Sequence, residues 1–190
     1  LSTAKSHKDN SKNLVEIGEV TPHEDEEAKD QLVTRLTNKF VNLTSNEYKA
    51  AVSTIFAELT GNIQEHSSTE LKGFAGLQKY LGSRPHIQTV VSDSGLGIAS
   101  TLRPSLQSHH KELYKLYRDE NIDNDIALVA RVMSGGLISR YGAGRGLGFK
   151  SSREHALKFK AKYSVRQERF SLEFLFENGD LKQVISKTNL

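Results

Sequence analysis

Apolar positions along the chain change period several times, and each period predicts an element. "NLVEIGEV" (Asn13 to Val20) alternates and runs into Thr21-Pro22, which predicts a strand. "PHEDEEAKDQLVTRLTNKFVNL" carries acids in its first turns and places Leu32, Leu36, Phe40 and Leu43 at helical spacing. A helix is expected there, its acid cluster forming a solvated N-terminus. A second helix is expected from about Ser45, as N-cap, through "NEYKAAVSTIFAELTGNIQEHS". "GFAGLQKYL" and "HIQTVVSD" read as strands joined by the loop "GSRP". From Gly95 to about Gly144 a long, irregular insert is expected, with short amphipathic helices such as "HHKELYKLYRDE" and "NDIALVARVMSGG". "LGFKSSREHALKF" reads as a helix, and "KAKYSVRQ" and "RFSLEFLFEN" as two strands around a short turn. The order β-α-α-β-β-insert-α-β-β predicts an α/β sandwich with helices on one sheet face.

Composition narrows the class without naming it. The 190 residues suit one domain with a tail: residues 1–12, "LSTAKSHKDNSK", are polar and lysine-rich, and residues 13–190 form the expected domain. No cysteine is present, which excludes disulfides and cysteine-ligated metals. No apolar run reaches the length of a membrane span and no signal-peptide pattern opens the chain, so a cytoplasmic location is expected. The chain starts at Leu1 and not at methionine, so a fragment or a processed chain is expected, and the question of upstream domains stays open. The net charge of +3 is mildly basic, but 23 acidic residues are spread throughout, which favours a solvated surface over a nucleic-acid platform. Lys158, Lys160 and Lys162 alternate and would share one strand face if the strand began that early.

Three short stretches carry candidate chemistry. On the second helix Val52, Ile55, Phe56, Leu59 and Ile63 make a core face. Glu58, Asn62 and His66 recur every fourth residue and form a polar stripe beside it. Such a stripe is either a half-exposed margin or a row projecting into a crevice. A carboxylate there can orient or deprotonate a nucleophile, an amide oxygen can ligate a hard cation, and an imidazole can donate to a phosphate. Gly61, on the solvent side, costs helix propensity for no reason visible in the sequence.

Second, Asp93-Ser94-Gly95-Leu96-Gly97 follows an apolar strand. The aspartate either makes a tight turn or accepts a hydrogen bond from an exocyclic amine, with the glycines letting a flat base approach the backbone. Third, "RYGAGRGLGFKSS" sets Gly142, Gly144, Gly146 and Gly148 at alternate positions before a helical stretch. That is a flexible loop or a phosphate cradle. A Walker A loop needs glycine before Lys150, where Phe149 stands, and the run is G-x-G-x-G where the Rossmann fingerprint needs G-x-G-x-x-G.

Taken together, "ELTGNIQEH" (Glu58 to His66), "DSGLGI" (Asp93 to Ile98) and "GAGRGLGF" (Gly142 to Phe149) resemble, in order and setting, the N, G1 and G2 boxes of the GHKL ATPase superfamily. The resemblance covers roughly residues 14–176 and is nearest to histidine-kinase-like and anti-sigma-factor kinase domains. It implies a Bergerat fold: a two-layer α/β (α+β) sandwich with a mixed, mainly antiparallel sheet, helices on one face and an ATP lid at about 99–143. It implies Glu58 as the acidic residue that orients or activates the group attacking the γ-phosphate. Asn62 is similar to the family's Mg²⁺ ligand and His66 to the basic residue near the phosphates. Asp93 is similar to the aspartate that recognises the adenine amine, supported by Gly95 and Gly97. Gly144, Gly146 and Gly148 resemble the phosphate-proximal glycines, with Arg145 a phosphate contact.

The chain also departs from the family. His7, His23, His86, His109, His110 and His155 all lack the helix of a phospho-accepting histidine. The glycine-threonine pair near the last strands is missing, and Ser171 is the available stand-in. His109, His110 and Glu112 read as a solvated lid helix before they read as a metal site. The resemblance implies ATP and Mg²⁺ as ligands, a protein phospho-acceptor or regulator as partner, and a possible homodimer. The function expected is phosphotransfer or ATP hydrolysis; the alternative is a non-catalytic, nucleotide-gated switch.

Overall fold

The structure is a computed structural model that describes residues 17–21, 26–66, 70–134, 154–155, 161–177 and 180–188. The fold is α+β. It divides into two compact units, Leu1–Gly95 and Leu96–Leu190. No helix among the described residues is long and apolar enough to cross a membrane.

In the first unit, β1 (Gly18–Val20), β2 (Gly73–Tyr80) and β3 (His86–Ser92) form an antiparallel sheet in that order, with Gly18 opposite Ala75 and Ala75 opposite Val91. Helices α1 (Glu26–Leu43) and α2 (Lys49–His66) cover one face. Leu32, Leu36, Val52, Phe56 and Ile63 from the helices meet Val20, Ala75 and Leu77 from the strands. Phe56 is fully enclosed. Burying such a side chain contributes about 1.5–3 kcal/mol, so the helical stripe seen in the sequence anchors this layer. The opposite face leaves Phe74 and Val90 exposed, as expected of a sheet covered on one side. Glu26 and Glu27 sit in the first turn of α1 and bond Lys29 and Gln31, as a solvated acidic helix start should. Ser45 departs from expectation. It precedes a 3-10 turn, Asn46–Tyr48, and its hydroxyl donates to the Glu47 carboxylate at 2.9 Å instead of capping a helix amide.

In the second unit the expected irregular insert is three packed helices, α3 (Ile98–His109), α4 (Lys111–Tyr117) and α5 (Ile122–Met133). Leu102, Leu106, Leu128, Val129, Val132 and Met133 share a core with Phe170, Leu172 and Phe174 of β5. Asn121 caps α5 by accepting the Asn124 amide hydrogen at 2.9 Å. Strands β4 (Tyr163–Arg166), β5 (Phe170–Glu177) and β6 (Asp180–Thr188) form a second antiparallel sheet in that order.

Two expectations change here. One mixed sheet was implied, yet the described strands form two sheets of three whose pairings are all antiparallel. The connections explain this: β2–β3, β4–β5 and β5–β6 are joined by a few residues each, which only antiparallel neighbours permit. Strand β6 was not expected, although Asn178-Gly179 is a strong hairpin signal in the sequence. Of the helix expected over 147–159, the described Glu154 and His155 are helical. Lys162 precedes β4, while Lys158 and Lys160 lie outside the described residues.

Candidate functional site

Glu58 and Asn62 lie one turn apart on α2, and both are half-buried. Their position follows from the core face beside them: Val52, Phe56 and Ile63 are buried, which leaves this stripe at the margin. Thr60 between them turns inward, and its hydroxyl donates to the Phe56 carbonyl at 2.7 Å. His66 is the last residue of α2, and its side chain lies outside the described residues.

Gly73 brings two of the sequence stretches to one end of the first unit. A Cβ at this position would lie 2.8 Å from Ile63 Cδ1 and 2.7 Å from the Ser92 carbonyl oxygen. Ile63 follows Asn62 in the chain, and Ser92 precedes Asp93. A side-chain-free position in β2 therefore lets the last turns of α2 close onto the tip of β3. No local pattern around Gly73 signals this.

Asp93 is exposed, directly after β3. Its Oδ1 accepts the Gly95 amide hydrogen at 2.6 Å, so the aspartate does build a tight turn. That bond also holds the carboxylate in place. Its second oxygen, Oδ2, has no hydrogen-bond partner among the described residues. A fixed carboxylate with a spare acceptor is suited to an amine donor.

Gly97 opens α3 with φ 81° and ψ 161°, a backbone region that is essentially glycine-only. Its carbonyl accepts both the amide and the hydroxyl of Thr101, at 3.1 and 2.8 Å. The next amide, of Ile98, donates to Gln167 Oε1 at 2.9 Å. Gln167 was not a candidate in the sequence, where it ends the expected strand "KAKYSVRQ". Ser171, the stand-in for the missing glycine-threonine pair, is half-buried on β5 opposite Arg166 and Lys187.

Gly142, Gly144, Arg145, Gly146 and Gly148 lie outside the described residues, as does the part of the expected lid from 135 onward. Among the described residues, no group of three histidine, cysteine, aspartate or glutamate side chains could hold a metal ion. The sequence group His109, His110 and Glu112 does not form such a group. It borders a cavity of about 410 Å³ at the α3–α4 junction, and a second of about 220 Å³ lies between the same helices; neither includes a residue of the candidate site.

Elsewhere on the second unit, Glu173 of β5 receives Lys162 Nζ at 3.0 Å and lies 3.6 Å from Lys187 Nζ. The hydrogen bond from Lys162, with the charges of both lysines, holds its carboxyl below the ordinary 4.5 against a smaller opposing effect of burial. Lys162 is therefore engaged in the sheet. No family model matches the chain, no curated protein matches it, and no solved structure matches it.

Proposed function

We propose that this chain is an ATP·Mg²⁺-binding domain of the Bergerat type, the catalytic part of a phosphotransfer or ATP-hydrolysing system. The observation that carries this reading is the closure at Gly73, which sets the Asn62-Ile63 turn of α2 and the Ser92-Asp93 tip of β3 against one backbone position. Asn62 and Asp93, 31 positions apart and each suited to a different part of a nucleotide, are thereby drawn to the same end of a sheet.

In this reading Asp93, oriented by the Gly95 amide, accepts the exocyclic amine of adenine through its open oxygen. Gly144, Gly146 and Gly148 let backbone amides approach the triphosphate, with Arg145 and His66 as cationic or donor contacts. Asn62 would hold Mg²⁺ through its side-chain oxygen. A hard cation that keeps several waters and takes phosphate oxygens needs few protein ligands. When bound, the ion neutralises phosphate charge. Glu58, one turn before Asn62, aligns the attacking water or a partner's side chain and receives its proton. Catalysis on this plan is mostly positioning.

The test is a calorimetric titration of the protein with ATP in the presence and absence of Mg²⁺, followed by an assay for ADP. Saturable, Mg²⁺-dependent binding with ADP formation is expected. Binding without ADP or phosphotransfer would leave the nucleotide-gated switch, and no binding would end the nucleotide reading.

A further inference from the structure

We infer that Gln167 is a positioning residue for the nucleotide, acting through Gly97; this rests on the proposed ATP-binding function. The Gln167 side chain is held at both ends of its amide. Nε2 donates to the Arg166 carbonyl at 3.1 Å, which turns Oε1 toward Ile98, whose amide it accepts at 2.9 Å. The backbone of Gln167 is fixed as well, since its amide donates to the Phe170 carbonyl at 2.8 Å across the β4–β5 turn. A rigid turn thus presents one carbonyl-type oxygen to the first amide of α3. Helix-start amides have no partner inside the helix, and α3 has no side-chain cap at Gly97 itself. Gln167, 69 residues away, takes that place.

The same oxygen explains why position 97 is glycine. A Cβ there would lie 2.7 Å from Gln167 Oε1, too close for any side chain while the bond to Ile98 is kept. Its backbone angles exclude other residues independently. The glycine is therefore matched to a long-range amide, and closeness to a ligand is not needed to account for it. Gly97 is one of the two glycines that the resemblance sets beside adenine. Its conformation, and with it the path of the chain entering α3, depends on a residue that belongs to none of the three boxes.

The test compares Gln167→Leu and Gln167→Glu with the unaltered protein, using ATP and inorganic tripolyphosphate as probes. Leucine removes the acceptor; glutamate keeps it and suits a helix N-terminus. Losing one partly buried hydrogen bond at a fixed site is worth about tenfold in affinity. ATP affinity is expected to fall about tenfold in Gln167→Leu and to return in Gln167→Glu. Tripolyphosphate affinity should stay unchanged, because Gly97 serves the base. Equal loss for both probes would mean that Gln167 is merely structural, and unchanged ATP affinity in Gln167→Leu would also overturn the inference. If the unaltered protein binds tripolyphosphate or nothing, but not ATP, the nucleotide reading itself fails and this inference falls with it.

Discussion

Arg103 on α3 and Asp125 on α5 form an ion pair whose side chains are only 8% and 10% exposed. Asp125 Oδ2 also accepts from Arg169 Nη2 at 2.7 Å, and Arg103 Nε donates to the Tyr117 carbonyl at 3.0 Å. One carboxylate therefore ties two helices to the turn before β5. Removing one member of a buried pair strands the other, which costs about 3–5 kcal/mol. Asp125→Ala is expected to lower the unfolding free energy by about that amount in urea titrations. The double variant Arg103→Met with Asp125→Leu should lose much less, because no buried charge is left alone. A midpoint for Asp125→Ala equal to that of the parent would contradict the pairing.

Two glycines offer opposite outcomes. Around Gly61 in α2 an added Cβ meets nothing within 4 Å, so Gly61→Ala should stabilise the protein by about 0.5–1 kcal/mol through helix propensity. At Gly73 an added Cβ meets the Ser92 backbone and Ile63, and backbone cannot swing aside. Gly73→Ala is expected to destabilise by about 1–3 kcal/mol. Thermal melts of both variants would show shifts of opposite sign, and a stabilising Gly73→Ala would refute the close approach of α2 to β3.

Glu173 makes stability depend on acid in a defined direction. Its carboxyl is held below 4.5 in the folded protein by Lys162 foremost, so the folded state binds fewer protons there than the unfolded chain. The stabilisation is fully present above 4.5 and is lost as pH falls through the lowered folded value. Glu173→Gln should narrow the stability difference between neutral and acidic pH in denaturant titrations. Because the side chain is partly exposed, 1 M salt should shrink the effect. An identical acid profile in parent and variant would remove Glu173 from the account.

Glu58 and Asp93 should separate binding from turnover. Glu58→Ala is expected to leave ATP affinity within about twofold and to lower ADP formation by roughly a hundredfold or more, as loss of a general base does. Asp93→Ala should instead abolish nucleotide binding in calorimetry. If Glu58→Ala weakened binding and turnover equally, its catalytic role would be lost; an Asp93→Ala protein with full affinity would lose the adenine contact.

The periodic elements were legible in the chain because periodicity is a local property. Leu32 and Leu36 on α1, and Val52, Phe56 and Ile63 on α2, recur as helical geometry requires, and all are buried. "HIQTVVSD" gave β3, which ends at Ser92, and "NDIALVARVMSGG" gave α5, which starts at Ile122 and ends at Met133, by the same reasoning. The Asp93 turn was also local, since its bond spans two residues. Strand β6 was missed for a different reason. "DLKQVISKT" carries lysines and polar residues between its apolar ones, and its pairing with β5 outweighs that weak pattern.

What tertiary structure alone decided is which distant groups meet. Ile63 and Ser92 close over Gly73, Asp125 gathers arginines 22 and 44 residues away, and Gln167 caps a helix 69 residues upstream. The one-dimensional pattern records whether a position is buried, through its spacing on a helix or strand. It does not record the partner of a buried polar atom, because that depends on how separate elements pack, and the hydrogen bond forms only once they have.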